Sequence, residues 1–305
     1  MPAIPPTTPL IPKTLAQPAT LITRPALYID VQHGLCNRLR ALASGAVIAR
    51  KTGRQLIVVW RPDHHCEARI SDILRYDGPV IEDAAADLLR TTSARVYNYM
   101  EVEDGAAFEE PILAQPVTGD VYIRSAYTLT GPQTTRAAET RFLKALIPSD
   151  PVLDLIAQVP HPSDVALHIR MATGPEFDHL SYEAPENWPA GRHDELIAWR
   201  QKSDISRFVT VLDQLVAEGA AQTIFVAADL PASYAALVER YGEKIRYLRR
   251  GLFDRSAVQL QYAMADLLLL TSAPLFLAST WSSFSDTAQR LARSGRRHLQ
   301  SGTDF

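Results

Sequence analysis

The sequence predicts an α/β fold in which two Rossmann-like domains face a cleft. Near the start, two apolar strand-like runs flank a helix-periodic segment, giving a strand–loop–helix–strand unit. In the second half, apolar runs alternate with amphipathic segments, the pattern of right-handed βαβ units in a parallel sheet. The chain has 305 residues, a length that suits about two domains.

The elements follow in order. The first 25 residues hold seven prolines and no helical period, so they are expected to form an extended or disordered arm outside the fold. Leu27 to Val31 reads as a strand and Gln32 to Cys36 as a tight loop. Asn37 stands as the N-cap of a helix from Arg38 to Lys51, with Leu39, Leu42, Ala46 and Ala49 at helical spacing and Gly53 as its stop. Gln55 to Trp60 is a nearly continuous apolar run, as a buried parallel strand requires.

The middle is less regular. Gly78 to Ile81 and Asp120 to Ile123 read as strands, Glu82 to Arg90 as a helix, and the prolines at 148 and 151 as a boundary or crossover. Beyond it, strands are expected at Val165–Arg170, Thr223–Ala227, Lys244–Leu248 and Leu275–Ala278. Helices fall between and after them, at Ser203–Glu218, after Pro231, at Ser256–Ser272, and from Ser283 to near Arg293. The expected organisation is an arm over residues 1–25, an N-terminal α/β domain over 26–155 and a C-terminal α/β domain over 156–305.

Composition narrows the function. The 31 Lys and Arg residues oppose 34 Asp and Glu, a formal net charge of −3, with 47% apolar and 21% charged residues. A chain this apolar buries enough surface to offset its ordering entropy, which excludes disorder of the bulk. No basic excess exists to neutralise a nucleic-acid backbone, although a single nucleotide can be served by one buried arginine. Cys36 and Cys66 allow one bridge at most and no disulfide framework. The longest strongly apolar stretch, Met264 to Ala278, is broken by Asp266, Thr271, Ser272 and Pro274, and falls short of the roughly 20 residues that span a bilayer. No apolar signal region follows a basic start, so a cytoplasmic location and no membrane span are expected.

Ligands of open α/β sheets bind beyond the carboxyl ends of strands, and three such places carry suitable groups. Gly34-Leu35-Cys36-Asn37-Arg38 is a one-glycine loop entering a helix, where backbone amides and the helix dipole favour an anion. It has neither the Gly-x-Gly-x-x-Gly spacing of dinucleotide sites nor a P-loop ending. In His168-Ile169-Arg170, alternation points His168 and Arg170 to the same side, and the planar guanidinium can grip two phosphate oxygens. Ser279 to Ser285 gathers hydroxyls and amides at the start of a helix, a phosphate cradle on physical grounds.

Other clusters read as structural. Glu101-Val102-Glu103-Asp104 reads as a solvated acidic turn, His64-His65-Cys66 is a weak metal signal, and Cys36 reads as a small packed cysteine rather than a nucleophile.

Taken together, these segments resemble the fucosyltransferase superfamily of α-1,6-fucosyltransferases, nodulation fucosyltransferases and protein O-fucosyltransferases. Gly34-Leu35-Cys36-Asn37-Arg38-Leu39 is similar to that group's glycine–asparagine loop, and His168-Ile169-Arg170 to its His-x-Arg motif. Phe225 to Asp229, Ala265 to Leu270 and Ser282-Ser283-Phe284-Ser285 are similar to its later blocks in order and spacing.

The resemblance implies a GT-B architecture and an inverting transfer of fucose from GDP-fucose to a hydroxyl acceptor, with no metal or other cofactor. Its partners are then the nucleotide sugar and a glycan or other hydroxyl acceptor. It implies that Arg170 stabilises the charge growing on GDP and that Ser282, Ser283 and the Phe284 amide hold the diphosphate. Asp266 would read the guanine N1–H and N2 amine, His168 would contact the nucleoside, Asp229 would shape the pocket, and Gly34 and Asn37 would belong to the nucleotide site.

Three departures stand out. Met171 occupies the place where some relatives carry a second arginine, and Cys36 the place of a glycine that would allow a left-handed backbone. The segment 174–202, with Trp188 and Trp199, has no counterpart; its tryptophans suit either an acceptor sugar or core packing. Asp63, His64, His65 and Glu67 follow a strand end and are candidates for the acceptor-activating base. Two other readings stay open here: a GT-B transferase of another GDP-sugar, and a non-catalytic nucleotide-sugar-binding protein.

Overall fold

A computed structural model describes residues 24–173, 185–189, 191–251 and 253–305. Almost all of the expected proline-rich arm, and much of the unmatched segment 174–202, lie outside the described residues.

The first sheet is built from β1 (Ala26–Val31), followed by α1 (Leu35–Lys51) and β2 (Gln55–Val59). The short elements α2 (Ile70–Ile73), β3 (Leu74–Arg75), β4 (Val80–Ile81), α3 (Ala85–Thr92) and β5 (Arg95–Asn98) come next, then β6 (Val121–Ser125). Its strand order is β4-β2-β1-β6-β5, and every pairing is parallel.

The chain crosses over through α4 (Arg136–Lys144), β7 (Ile147–Pro148) and α5 (Asp150–Ala157), with β7 pairing antiparallel to β3. The second sheet starts at β8 (Val165–Ile169). After α6 (Arg192–Gln201) and α7 (Ile205–Ala217) come β9 (Ile224–Ala228), α8 (Pro231–Tyr241), β10 (Ile245–Arg246) and α9 (Ala257–Leu270). The last elements are β11 (Leu275–Ala278), α10 (Ser283–Leu291) and β12 (Arg297–Gln300). The order β10-β9-β8-β11-β12 is again wholly parallel. The expected α/β class with two Rossmann-like halves is the observed fold.

In each sheet the chain leaves its first strand to one side and later returns to the other. That reversal opens a crevice at the carboxyl end of β1 and another at the carboxyl end of β8. Helix α1 sets the first crevice and lies very close to β1. A Cβ on Gly45 would stand 2.9 Å from both Cβ and Cγ1 of Ile29, so only glycine lets the helix approach that far.

The two sheets share one apolar core. Leu27, Ile29, Leu39 and Leu42 from the first half join Leu260, Met264, Leu267 and Phe276 from the second in a single buried cluster. Helix α9 is the wedge between the halves, apolar on nearly every side, as a helix packed all round must be. That role explains the long apolar stretch beginning at Met264. Among the described residues no helix is long and apolar enough to cross a membrane.

Beside the shared core, Arg290 of α10 forms an ion pair of 3.0 Å with Glu139 of α4, with 4% and 3% of the two side chains exposed. Glu139 also accepts from Ser44 Oγ at 2.8 Å, which ties α1 into the same junction.

Candidate functional site

The crevices of both sheets open into one cavity of about 710 Å³, within the usual range of small-molecule sites. The nine motif residues given roles at the nucleotide site all line it: Gly34 and Asn37 at the start of α1, His168 and Arg170 at the end of β8, Asp229 after β9, Asp266 from α9, and Ser282, Ser283 and Phe284 at α10.

At the end of β8, His168 and Arg170 point to the cavity side, as strand alternation requires. The His168 ring stacks on Phe284 with centroids 4.7 Å apart, and its Nδ1 lies 2.8 Å from Ser285 Oγ. Burial pushes the His168 imidazole down to about 3, against the pull of Asp229 and with help from Arg170 and Arg200, so the ring is neutral at neutral pH.

Arg170 is held from two directions. Its amide donates to Ser279 Oγ at 2.9 Å, and its Nη1 donates to Asp229 Oδ2 at 2.6 Å. The Met171 and Ala172 amides donate to the same carboxylate oxygen at 2.9 and 2.8 Å. Burial alone would raise the Asp229 carboxyl, but the Arg170 charge and these amides outweigh it and hold its pKa below the ordinary value. An acceptor this fully engaged orients the guanidinium and is poorly suited to take a proton.

Asp266 is more exceptional. Arg250 Nη2 donates to its Oδ2 at 2.6 Å, and both side chains are almost wholly buried. Its Oδ1 is buried with no hydrogen-bond partner among the described residues. A buried acceptor left so costs about 1–3 kcal/mol, which a ligand donor would recover. Burial lifts the carboxyl to about 6, with Arg250 opposing.

The third wall is the N-terminus of α10. Ser282 is the N-cap, its Oγ accepting from the Ser285 amide at 3.3 Å. The amides of Ser283 and Phe284 belong to the first turn, where a helix has no internal acceptors for them. Trp281, just before the cap, has φ of 49°, a left-handed backbone in a non-glycine residue.

Two expectations about the first loop are corrected. Helix α1 begins at Leu35, with Gly34 as the N-cap in an extended conformation (φ −69°, ψ 170°) and Arg38 N–H bonded to Gly34 O at 3.1 Å. Asn37 therefore sits inside the first turn and is not the cap. Cys36 is helical and carries no left-handed strain; that conformation falls on His33, with φ of 62°. Burial pushes the Cys36 thiol up to about 12, so it is inert, as a packed cysteine should be.

The candidate bases separate sharply. Asp63 pairs with Arg38 at 2.8 Å and accepts from the His65 and Cys66 amides, a structural engagement. His64 and Glu67 are exposed and do not line the cavity, although the His64 ring packs on His65 with centroids 4.0 Å apart. His65 lines the cavity, and its ring stacks on His33 at 4.9 Å. Cys66 is buried in the core, and among the described residues no group of three or more His, Cys, Asp or Glu is placed to hold a metal ion.

The acidic turn is not simply solvated. Glu103 binds Arg124 through 2.6–2.9 Å contacts, and Arg124 also reaches buried Asp30 at 2.9 Å. Glu101 lines the cavity next to Tyr127, whose phenol is pushed up to about 12 by burial and by that carboxylate.

The segment after the undescribed stretch supplies cavity residues with no motif of their own. Arg192 places its guanidinium 4.8 Å over the Trp281 ring, while Trp199 stacks on Trp281 in nearly parallel planes. Trp199 is thus packing, whereas Trp188 lines the cavity edge-on to His33. Arg250 carries no sequence signal, His33 sits without a motif of its own inside the loop from Gln32 to Cys36, and Glu101, expected to be solvated, instead lines the cavity.

No protein-family model and no curated protein sequence matches the chain. Solved structures do. The crystal structure of NodZ alpha-1,6-fucosyltransferase soaked with GDP-fucose is similar over 88% of this chain and 93% of its own, at 14% identity and a TM-score of 0.55. That of fucosyltransferase NodZ from Bradyrhizobium covers 89% and 94%, with the same identity and TM-score. POFUT1 in complex with GDP-fucose covers 93% and 99% at 13% identity and a TM-score of 0.51. At these identities the likeness establishes the fold, and the fold is that of the fucosyltransferases which the motifs resemble.

Proposed function

We propose that this protein is an inverting, metal-independent glycosyltransferase that moves fucose from GDP-fucose to a hydroxyl acceptor. The observation that carries this reading is convergence. Gly34, Arg170, Asp266 and Ser282, far apart in the chain, line one cavity where two sheets reverse direction. Structures of that fold have been solved with GDP-fucose and with GDP.

In this reading the guanine lies beside Asp266. Its N1–H and N2 amine are adjacent donors, and the unpartnered Oδ1 is a buried acceptor in need of one. Adenine lacks that donor pair. The diphosphate then reaches the α10 amides of Ser283 and Phe284 and the fork of Arg170, and His168 packs along the nucleoside. Helix dipole and guanidinium meet the diphosphate charge by chemistry that requires no divalent ion.

Catalysis follows from where charge grows. As the fucose C1–O bond breaks, negative charge builds on the β-phosphate, and Arg170, already fixed by Asp229, stabilises it more than the ground state. The acceptor hydroxyl attacks C1 from the opposite side, which inverts the anomeric centre. In this reading residues 156–305 form the nucleotide-sugar side and residues 26–155 the acceptor side.

The test is GDP release from GDP-fucose over a panel of hydroxyl acceptors, with the parent and Arg170→Ala. Fucose transfer that disappears in Arg170→Ala supports the reading. Transfer from GDP-mannose instead would reassign the sugar, and tight GDP-fucose binding without turnover on any acceptor would mark a binding protein.

A further inference from the structure

Backbone strain in this protein gathers at the cavity. Among the described residues four non-glycine residues have positive φ, namely His33, Glu109, Leu113 and Trp281. Three of them, all but Leu113, line the cavity. Such conformations persist where the surroundings over-determine them, and they concentrate at sites of function.

His33 is held on both sides. It follows β1 at the reversal point of the first sheet and immediately precedes the Gly34 cap of α1. Its carbonyl accepts from Nε of Arg38 at 2.8 Å, and Arg38 is wholly buried, with further bonds to the Arg61 carbonyl and Asp63. The imidazole stacks on His65 and meets the edge of Trp188. A glycine would adopt this backbone without strain, yet the position carries a proton-accepting ring held in the cavity wall.

We propose that His33 takes the proton of the acceptor hydroxyl. The assignment rests on the transferase reading above. In the step, the hydroxyl proton passes to an imidazole nitrogen as an oxygen lone pair forms the new bond to C1 of the fucose. The C1–O bond to the β-phosphate breaks, and its electron pair leaves with GDP. The imidazolium then returns the proton to solvent as products depart.

The surroundings keep the ring unprotonated, and so also make it a weaker base than a free imidazole. Burial lowers its pKa to about 4; Asp63 opposes this, while Arg40, Arg124 and Arg38 reinforce it, so the imidazole is neutral at neutral pH. The carboxylate rivals are worse placed. Glu101 is shared with Tyr127 and lies 3.9 Å from Arg192, and Asp229 is bound to Arg170.

Two variants test the assignment. Asparagine tolerates a left-handed backbone, so His33→Asn removes the base and keeps the loop. Its turnover should fall by about 10²–10⁴-fold, the usual worth of a general base, while GDP affinity by calorimetry stays at the parent value. His33→Gly accepts the same φ and leaves space, and added imidazole should restore part of its turnover. Turnover by His33→Asn at the parent rate, parallel loss of GDP affinity, or no rescue of His33→Gly would overturn the assignment. Absence of fucose transfer by the parent protein would instead sink the transferase reading on which it rests.

Discussion

Arg170 Nη1 and Asp229 Oδ2 lie 2.6 Å apart across the carboxyl ends of two neighbouring parallel strands, β8 and β9. The carboxylate also takes the next two backbone amides, so the arginine projects from a loop that its own partner holds still. A guanidinium fixed in this way has less conformational freedom left to lose when it binds a phosphate.

Arg170→Ala should therefore lose about 1.5–3 kcal/mol of GDP binding, the worth of a hydrogen bond to a charged group. Arg170→Lys keeps the charge but not the fork, and should fall between the two. Calorimetry on both variants checks the order; equal affinity in all three proteins would remove Arg170 from the phosphate site.

If Asp266 reads the guanine as proposed, GDP binding should depend on pH. Its carboxyl in the free protein titrates at about 6, and only the ionised form accepts from both guanine donors. Affinity should be flat above that value and weaken on acidification, by up to about tenfold per pH unit once the proton must first be displaced. The effect on folding has the opposite sign. A carboxyl raised in the folded state binds its proton before the unfolded one does, so its contribution to stability improves as pH falls from about 6 toward the ordinary carboxylate range. In Asp266→Asn the affinity step near that pH should vanish along with the preference for guanine.

The buried pair of Glu139 and Arg290 joins α4 to α10 and so couples the two halves. Arg290→Ala strands a carboxylate in the interior and should destabilise the protein by about 3–5 kcal/mol. Replacing both partners, as in Glu139→Leu with Arg290→Met, should cost much less, because no charge is left unpaired. Urea unfolding of the single and double variants separates these outcomes.

Gly45→Ala tests the seat of α1. Helix propensity favours alanine by about 1 kcal/mol, but the added methyl meets Ile29 at 2.9 Å, tighter than a real contact allows. The clash should win, with net destabilisation of about 1–2 kcal/mol in thermal or chemical unfolding. A more stable variant would show that α1 can lift from β1 without penalty.

The central parallel strands of the second half, β8, β9 and β11, were legible because each is a largely apolar run next to a helix-periodic segment. The expected strand Val165–Arg170 and helix Ser256–Ser272 match β8 and α9 to within a residue or two at each end. Edge elements were not legible: β12 is Arg-His-Leu-Gln, which carries no burial pattern, and β5 is short and half exposed. The start of α1 was misplaced because an asparagine suggested a cap that the preceding glycine supplies. At the site, residues lying where a strand turns into a helix could be found from spacing alone. Arg250 could not, since its place in the cavity follows from packing between distant segments; His33 lies inside the recognised loop without a motif to mark it, and Glu101 belongs to a turn that reads as solvated.

The most direct test of the central claim is a calorimetric titration with GDP, ADP and UDP, each with and without magnesium. The proposed guanine contact at Asp266 and the proposed phosphate contacts at Arg170 and α10 predict that GDP binds selectively and that magnesium leaves its affinity unchanged. Failure to bind GDP, or equal affinity for ADP or UDP, would contradict the nucleotide assignment and with it the proposed donor; affinity that appears only with magnesium would contradict the metal-independent diphosphate site.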